Sequence, residues 1–269
     1  MPKKPVLFAI IGVIVLALIG GGVWIWKAKN QKPATTEEQK STKKRIVEPV
    51  NVIPVAERPV MYVSPQADGH NIDMVVAALN KEAKKAEFEL EYTTDNLVQG
   101  GQGDFELGSL PVKEKWFMGS CSAGGACSYH TNVTGGSLKT RFIGAENYAI
   151  KNDWRYFDNV KTKADTFSSK DAKFTAKSPA FAKVTYAVVT NSPGYPKDLK
   201  GTPVSEAYAL AASAALAGDV EVSIRSSEEG DATIMAWDGK NWTDLKGTAK
   251  DKVVSAKGPA SMLYIAVKK

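Results

Sequence analysis

The chain has 269 residues, 43% apolar and 24% charged, a composition that fills one or two ordinary cores and excludes a disordered or collagen-like polymer. With Cys121, Cys127, His70 and His130 as its only cysteines and histidines, it cannot assemble a multi-ligand zinc site or an iron–sulfur cluster of usual composition, so no metal or cofactor is expected. The net charge of +6 lies mostly in residues 1–57, which hold nine basic and four acidic groups. The remainder is nearly balanced, which argues for membrane-surface electrostatics and against a nucleic-acid partner.

Residues 6–26, VLFAIIGVIVLALIGGGVWIW, run without a charge for 21 positions. At the helical rise this spans roughly 31 Å, about one hydrocarbon core. Trp24 and Trp26 stand at its end beside Lys27, where indoles favour the interface. The segment is therefore expected to be a single membrane anchor. A cleaved signal peptide is the rival reading, with Lys3 and Lys4 as its basic region and Gly20 and Gly22 before a cut. An apolar run of this length, continuing to Trp26, favours the uncleaved anchor. Seven basic residues between Lys27 and Arg45 would by simple charge counting hold the body in the cytoplasm. Long folded domains follow that rule less strictly, and the closely spaced cysteines suit an exported protein, so the C-terminal body is expected outside the cell membrane.

Residues 27–57 are rich in Lys, Thr, Glu, Gln and Pro and read as a flexible linker of about 30 Å r.m.s. span, stiffer toward its prolines. From residue 58 short apolar or alternating runs are punctuated by turn residues, the pattern of an all-β sandwich. Candidate strands at 60–63, 72–79, 86–93, 104–107, 114–118, 137–143 and 149–157 make a first sandwich, 58–160. The clearest is Glu87-Phe88-Glu89-Leu90-Glu91-Tyr92, with an apolar face and a face of three glutamates toward solvent. A polar connection after Asp158 precedes a second sandwich, 161–269, with strands at 172–176, 183–190, 219–225, 232–237, 241–245, 253–256 and 261–267. The Ala-rich stretch 205–218 suits a helix by propensity and a strand by context; the strand is favoured.

Two groups of motifs carry a family likeness. One is Ser64-Pro-Gln-Ala-Asp-Gly-His-Asn, the Phe88 strand through Thr93-Thr-Asp, Leu107-Gly-Ser-Leu and Gly119-Ser-Cys-Ser-Ala-Gly-Gly-Ala-Cys-Ser-Tyr. The other is Asp219-Val-Glu-Val-Ser-Ile-Arg, Met235-Ala-Trp-Asp-Gly-Lys-Asn-Trp and Leu263-Tyr-Ile-Ala-Val. Over about 200 residues these resemble uncharacterised single-anchor envelope proteins of candidate-phyla-radiation (patescibacterial) bacteria. The resemblance implies a fibronectin-III/immunoglobulin-like module followed by another sandwich on the outer face of the membrane, and no catalytic residue.

Cys121 and Cys127 enclose five small residues, which lets a short loop bring them together. A disulfide is expected in an oxidising compartment; buried free thiols, or a metal or redox site with His130, are the alternatives. Trp237-Asp-Gly-Lys-Asn-Trp242 reads as a β-hairpin whose two indoles face each other across the strands, either as a binding platform for a sugar ring or partner protein, or as core packing. Glu87, Glu89 and Glu91 alternate as any half-buried strand demands. No nucleophile elbow, phosphate loop, zinc-protease, dinucleotide or calcium-loop motif occurs. The expected function is non-enzymatic: an anchored, extracytoplasmic β-sandwich protein that binds an unknown protein or glycan in cell-surface adhesion or envelope assembly. An exported enzyme acting on envelope polymers and a cytoplasmic-facing scaffold are the alternatives.

Overall fold

Phe88, Leu90 and Tyr92 lie on one side of their strand and are buried, as the two-residue side-chain period requires. The computed structural model describes residues 45–95 and 97–268. The anchor at 6–26 and the linker as far as residue 44 lie outside the described residues; among the described residues no helix is long and apolar enough to cross a membrane.

The described chain is all-β. Among these residues the strands are β1 (Val60–Pro65), β2 (Asn71–Ala78), β3 (Lys85–Thr94), β4 (Leu97–Glu106), β5 (Val112–Phe117), β6 (Gly119–Cys121), β7 (Cys127–Tyr129), β8 (Val133–Ile143), β9 (Tyr148–Asp158), β10 (Thr166–Ser168), β11 (Phe174–Lys177), β12 (Tyr186–Ser192), β13 (Thr202–Pro203), β14 (Ala207–Ala212), β15 (Asp219–Arg225), β16 (Ala232–Trp237), β17 (Trp242–Asp244), β18 (Thr248–Lys250), β19 (Val253–Pro259) and β20 (Leu263–Lys268). A ten-stranded sheet runs β17-β16-β20-β14-β12-β9-β8-β3-β4, with β13 beside β20. A front sheet has the order β1-β2-β5, a rear sheet β10-β11-β15-β19-β18, and β6 and β7 form a hairpin.

The long sheet passes through the boundary expected at residue 160, because β9 pairs with β12 from Trp154↔Thr190 to Asp158↔Tyr186. Its opposite faces bury different cores. Toward the front sheet, Phe88, Leu90, Leu138, Phe142, Ile150, Trp154 and Val188 pack with Met61, Val63, Ile72, Met74 and Val76. Toward the rear sheet, Val189, Tyr208, Leu210, Ile234 and Tyr264 pack with Phe167, Phe174, Val220, Val222 and Ile224. Adjacent Val188 and Val189 of β12 therefore belong to two cores. A third core joins the other side of the front sheet, Val60, Tyr62 and Val75, to Ala207, Ala209, Met235, Trp237, Leu263 and Ile265. The front sheet is thus covered on both faces, which is why Val60-Met61-Tyr62-Val63 reads as a continuous apolar run rather than an alternation.

Residues 205–218 contain strand β14 and no helix. Its alternation serves two cores at once: Ala207 and Ala209 face the third, Tyr208 and Leu210 the second. Tertiary burial on both sides overrides alanine's helical preference. The strand expected at 104–107 is the end of the much longer β4, whose Gln- and Gly-rich sequence buries little and carries no period. Its glycines make room instead: a Cβ on Gly101 would come within 2.4 Å of the Trp116 ring, and one on Gly103 within 2.5 Å of Phe88. The expected strand at 172–176 starts at Phe174, since Ala172 turns the chain with φ 57°.

Of the segment read as linker, residues 45–53 are bound to the long sheet as a strap. Ile46 is buried, its N–H donating to Glu89 Oε1 at 2.5 Å and its carbonyl accepting from Lys139 Nζ. Glu48 pairs with Arg141 Nε at 2.6 Å, and Val50 bridges Ala149 in parallel. The glutamate face of β3, expected to meet solvent, is half covered at Glu87 and Glu89 and open at Glu91. The strap finds backbone groups to pair with because β9, ahead of Trp154, has no β12 partner on that edge.

Candidate functional site

The separation of β9 from β12 opens a cleft of about 1010 Å³. One wall is the strap: Asn51 N–H donates to Ala149 O at 2.9 Å, and its side-chain amide donates to Lys151 O at 2.9 Å and accepts the Lys151 N–H at 3.1 Å. Arg58 braces it from inside, donating Nε to Ile53 O at 2.9 Å and Nη2 to Asn51 O at 2.6 Å. Burial lowers the guanidinium's pKa, with Glu206 acting against that. The other walls are the end of β12 with Ser192, Pro193 and Tyr195, the approach to β14, and the rear sheet's end at Asp171, Lys173, residues 225–227 and Lys252.

Asp171 organises the middle of this lining. Its Oδ1 accepts from Ser169 Oγ at 2.5 Å and from the Lys173 N–H at 3.1 Å; its Oδ2 accepts from Asn191 Nδ2 at 3.2 Å and Tyr208 Oη at 3.1 Å. Burial pushes this carboxyl upward, but the four donors outweigh it and hold it below its ordinary value. An ionised carboxylate offers about four acceptor positions, so the protein itself occupies them. Tyr208 is raised, first by burial and then by the charge of Asp171, and stays a phenol donor. The Asn191 amide also donates to Glu206 Oε2 at 3.0 Å, tying two carboxylates to one donor. Asn152 lines the same cleft and is 4% exposed, with neither side-chain amide atom finding a partner among the described residues.

None of these residues was legible as a site. Asp171 falls in the polar stretch after Asp158 that reads as a connection. Asn191 and Glu206 each stand in strand-like or turn-like context, and only the pairing of β12 with β14, which sets Asn191 opposite Tyr208, brings them together.

The residues singled out from sequence lie elsewhere. Trp237 and Trp242 do pair across the hairpin, with ring centroids 6.5 Å apart and tilted by 41°. Asp238 Oδ1 accepts the Lys240 and Asn241 N–H groups at 2.8 Å and holds the turn. Trp237 is only 7% exposed and belongs to the third core, while half-buried Trp242 donates Nε1 to Asp198 Oδ1 at 3.1 Å. The pair is thus one core indole with a second leaning on it, and any platform is reduced to the outer ring.

Cys121 and Cys127 form a disulfide across the β6–β7 hairpin, and both are exposed. His130 is turned to Tyr92, its Nδ1 2.8 Å from the phenol oxygen. On the neighbouring surface His70 stacks on half-exposed Tyr129, centroids 3.9 Å apart. Among the described residues no group of three or more His, Cys, Asp or Glu is placed to hold a metal ion.

Compared with protein-family models, curated proteins and solved structures, the chain matches none.

Proposed function

We propose that this is a non-enzymatic binding protein of the cell envelope, anchored by residues 6–26, with fused sandwiches of fibronectin-III/immunoglobulin-like kind displayed outside the membrane and the cleft between β9 and β12 as the ligand site. The observation that carries the binding reading is the saturation of Asp171. A carboxylate occupied by four protein donors and held ionised builds the shape of a site, whereas a general base needs an open acceptor position and a general acid a proton. Asp171 and Glu206 share the Asn191 amide, which is the feature an envelope hydrolase would exploit, but the committed state of Asp171 favours recognition. The exposed Cys121–Cys127 bond supports display in an oxidising compartment. Any contribution of Trp242 to binding is a separate, outer contact.

The test is labelling of the full chain on intact cells with a membrane-impermeant maleimide. Labelling of Cys121 and Cys127 is expected only after an impermeant reductant. Labelling that requires lysis but no reductant would place the body in the cytoplasm and overturn the reading. Release of fragments from purified cell-wall polymer by the full chain would overturn its non-enzymatic part.

A further inference from the structure

We infer that the cleft recognises a carboxylate-bearing linear glycan, a chain of acidic sugars rather than a neutral glycan or a densely charged polyphosphate; this rests on the binding reading above. Cations gather at the rear sheet's end of the cleft. Phe174 pairs with Ile224, so Lys173 stands beside Arg225 at the rear sheet's end, and the Arg225 N–H donates to Lys173 O at 2.8 Å. On the other side Arg225 pairs with Val253, and the following Ser226 N–H donates to Lys252 O at 2.7 Å. Lys173 therefore stands opposite Arg225 across β11 and β15, while Lys252, opposite Ser226, lies one position further on in the turn into β19. At the spacing of adjacent strands these three backbone positions span roughly 10 Å, of the order of two sugar rings. All three line the cleft, and Lys151 of β9 lines it from another wall.

Three of these four cations are not spent on the protein. The carboxylates of the cleft have other partners: Asp153 pairs with Lys170 at 3.0 Å, Asp171 with its four donors, and Glu206 with Asn191. Among the described residues no carboxylate lies within ion-pair distance of Lys151, Arg225 or Lys252, and Lys173 is 3.7 Å from the already committed Asp171. With Lys151, Arg225 and Lys252 outside any ion pair among the described residues, the lining carries more cations than anions, which favours an anionic occupant.

The acidic lining limits how anionic that occupant is. Asp153, Asp171 and Glu206 line the same space as the cations. A polymer with a charge on every linkage would meet them with like charge, at a cost that cancels much of the attraction. One carboxylate per ring, with hydroxyls between, meets cations with its charge and acceptors with its hydroxyls. The cleft supplies such groups in the carboxylate of Glu206, the ring and phenol of half-buried Tyr195, and the unsatisfied amide of Asn152.

The experiment uses the detergent-solubilised full chain and measures binding to oligogalacturonate, to the same oligosaccharide fully methyl-esterified, and to inorganic polyphosphate. Oligogalacturonate is expected to bind, to weaken as salt is raised, and to lose affinity about tenfold or more in Arg225→Ala/Lys252→Ala. Lys257→Ala, an exposed cation on β19 outside the cleft, is the control and is expected to bind as the wild type does. Equal binding of the methyl ester, or tighter binding of polyphosphate, would overturn the choice of ligand class; if either is abolished by Glu206→Ala, the cleft remains a binding site and only this inference fails. No binding of any of the three, or oligogalacturonate binding that the double variant leaves unchanged, also overturns the inference. Because Arg225 and Lys252 are exposed, a circular dichroism spectrum matching the wild type is expected for the double variant.

Discussion

Thr190 Oγ1 accepts the backbone N–H of Val63 at 3.1 Å, joining the first strand of the front sheet to β12, 127 residues later. Both residues are fully buried. This bond fixes where the front sheet sits on the long one at the point where the first and third cores meet. Thr190→Val keeps the side-chain volume but leaves the Val63 N–H without its partner in an apolar surrounding, at a cost of about 1–3 kcal/mol. Denaturant titration is expected to show a lower midpoint with an unchanged slope; an unchanged midpoint would mean that the bond contributes nothing.

Asp171→Asn removes the charge that four donors converge on and replaces one acceptor oxygen by a donor facing Tyr208 and Asn191, or Ser169 and Lys173. A loss of about 2–3 kcal/mol is expected, since hydrogen bonds to a charged group are among the stronger ones. The pH dependence carries a definite sign. The folded pKa of Asp171 is depressed, so its contribution is present above the unfolded value near 3.9 and is lost as pH falls through the lower folded value. Thermal unfolding followed from neutral pH to below about pH 4 is expected to fall less steeply in Asp171→Asn than in the wild type.

The opposite limb belongs to the tyrosines. Burial raises Tyr208 and pushes Tyr264 up to about 12. A phenol whose folded pKa lies above its unfolded value stabilises the fold fully below that unfolded value, near 10, and the contribution is lost as pH rises toward the folded one. Stability is therefore expected to decline above about pH 10, with tyrosinate absorbance from these residues appearing together with loss of the β-sheet circular dichroism. Ionisation of every tyrosine before unfolding would contradict this.

Reduction of Cys121–Cys127 opens a seven-residue ring and is expected to cost roughly 2 kcal/mol locally in the chain-entropy model. Because both cysteines are exposed and outside the three cores, the loss should be confined to the β6–β7 tip. Hydrogen exchange is expected to speed up on reduction at the His130 amide, which donates to Met118 O at 2.9 Å, while the amides of β8 and β9 keep their protection. Global unfolding on reduction would refute the local-staple reading.

Trp237 and Trp242 provide a test within one hairpin. Trp237→Ala empties part of the third core and is expected to cost about 3–5 kcal/mol. Trp242→Ala removes a half-buried ring and one hydrogen bond to Asp198, and less than half that loss is expected. Equal losses measured by chemical denaturation would place both indoles in the core.

The apolar periods and turn residues were enough to show an all-β body. Phe88, Leu90 and Tyr92 declare their strand because only one of its faces is apolar, and Trp237-Asp-Gly-Lys-Asn-Trp242 declares its hairpin because Asp238 and Gly239 can adopt the turn. The closeness of Cys121 and Cys127 follows from the short small-residue loop between them. What only the tertiary structure decided is which faces share a core and which polar groups share a cleft. Val188 and Val189 are chemically identical neighbours, and their assignment to two cores depends on sheets folded from distant segments on either side. Only Asp171 and Lys173 are near in sequence, in one turn; Asn191, Glu206, Arg225 and Lys252 come from separate strands and turns, so no local spacing encodes their meeting. Their convergence arises from strand pairing and from the parting of β9 and β12, long-range contacts that one stretch of chain cannot specify alone.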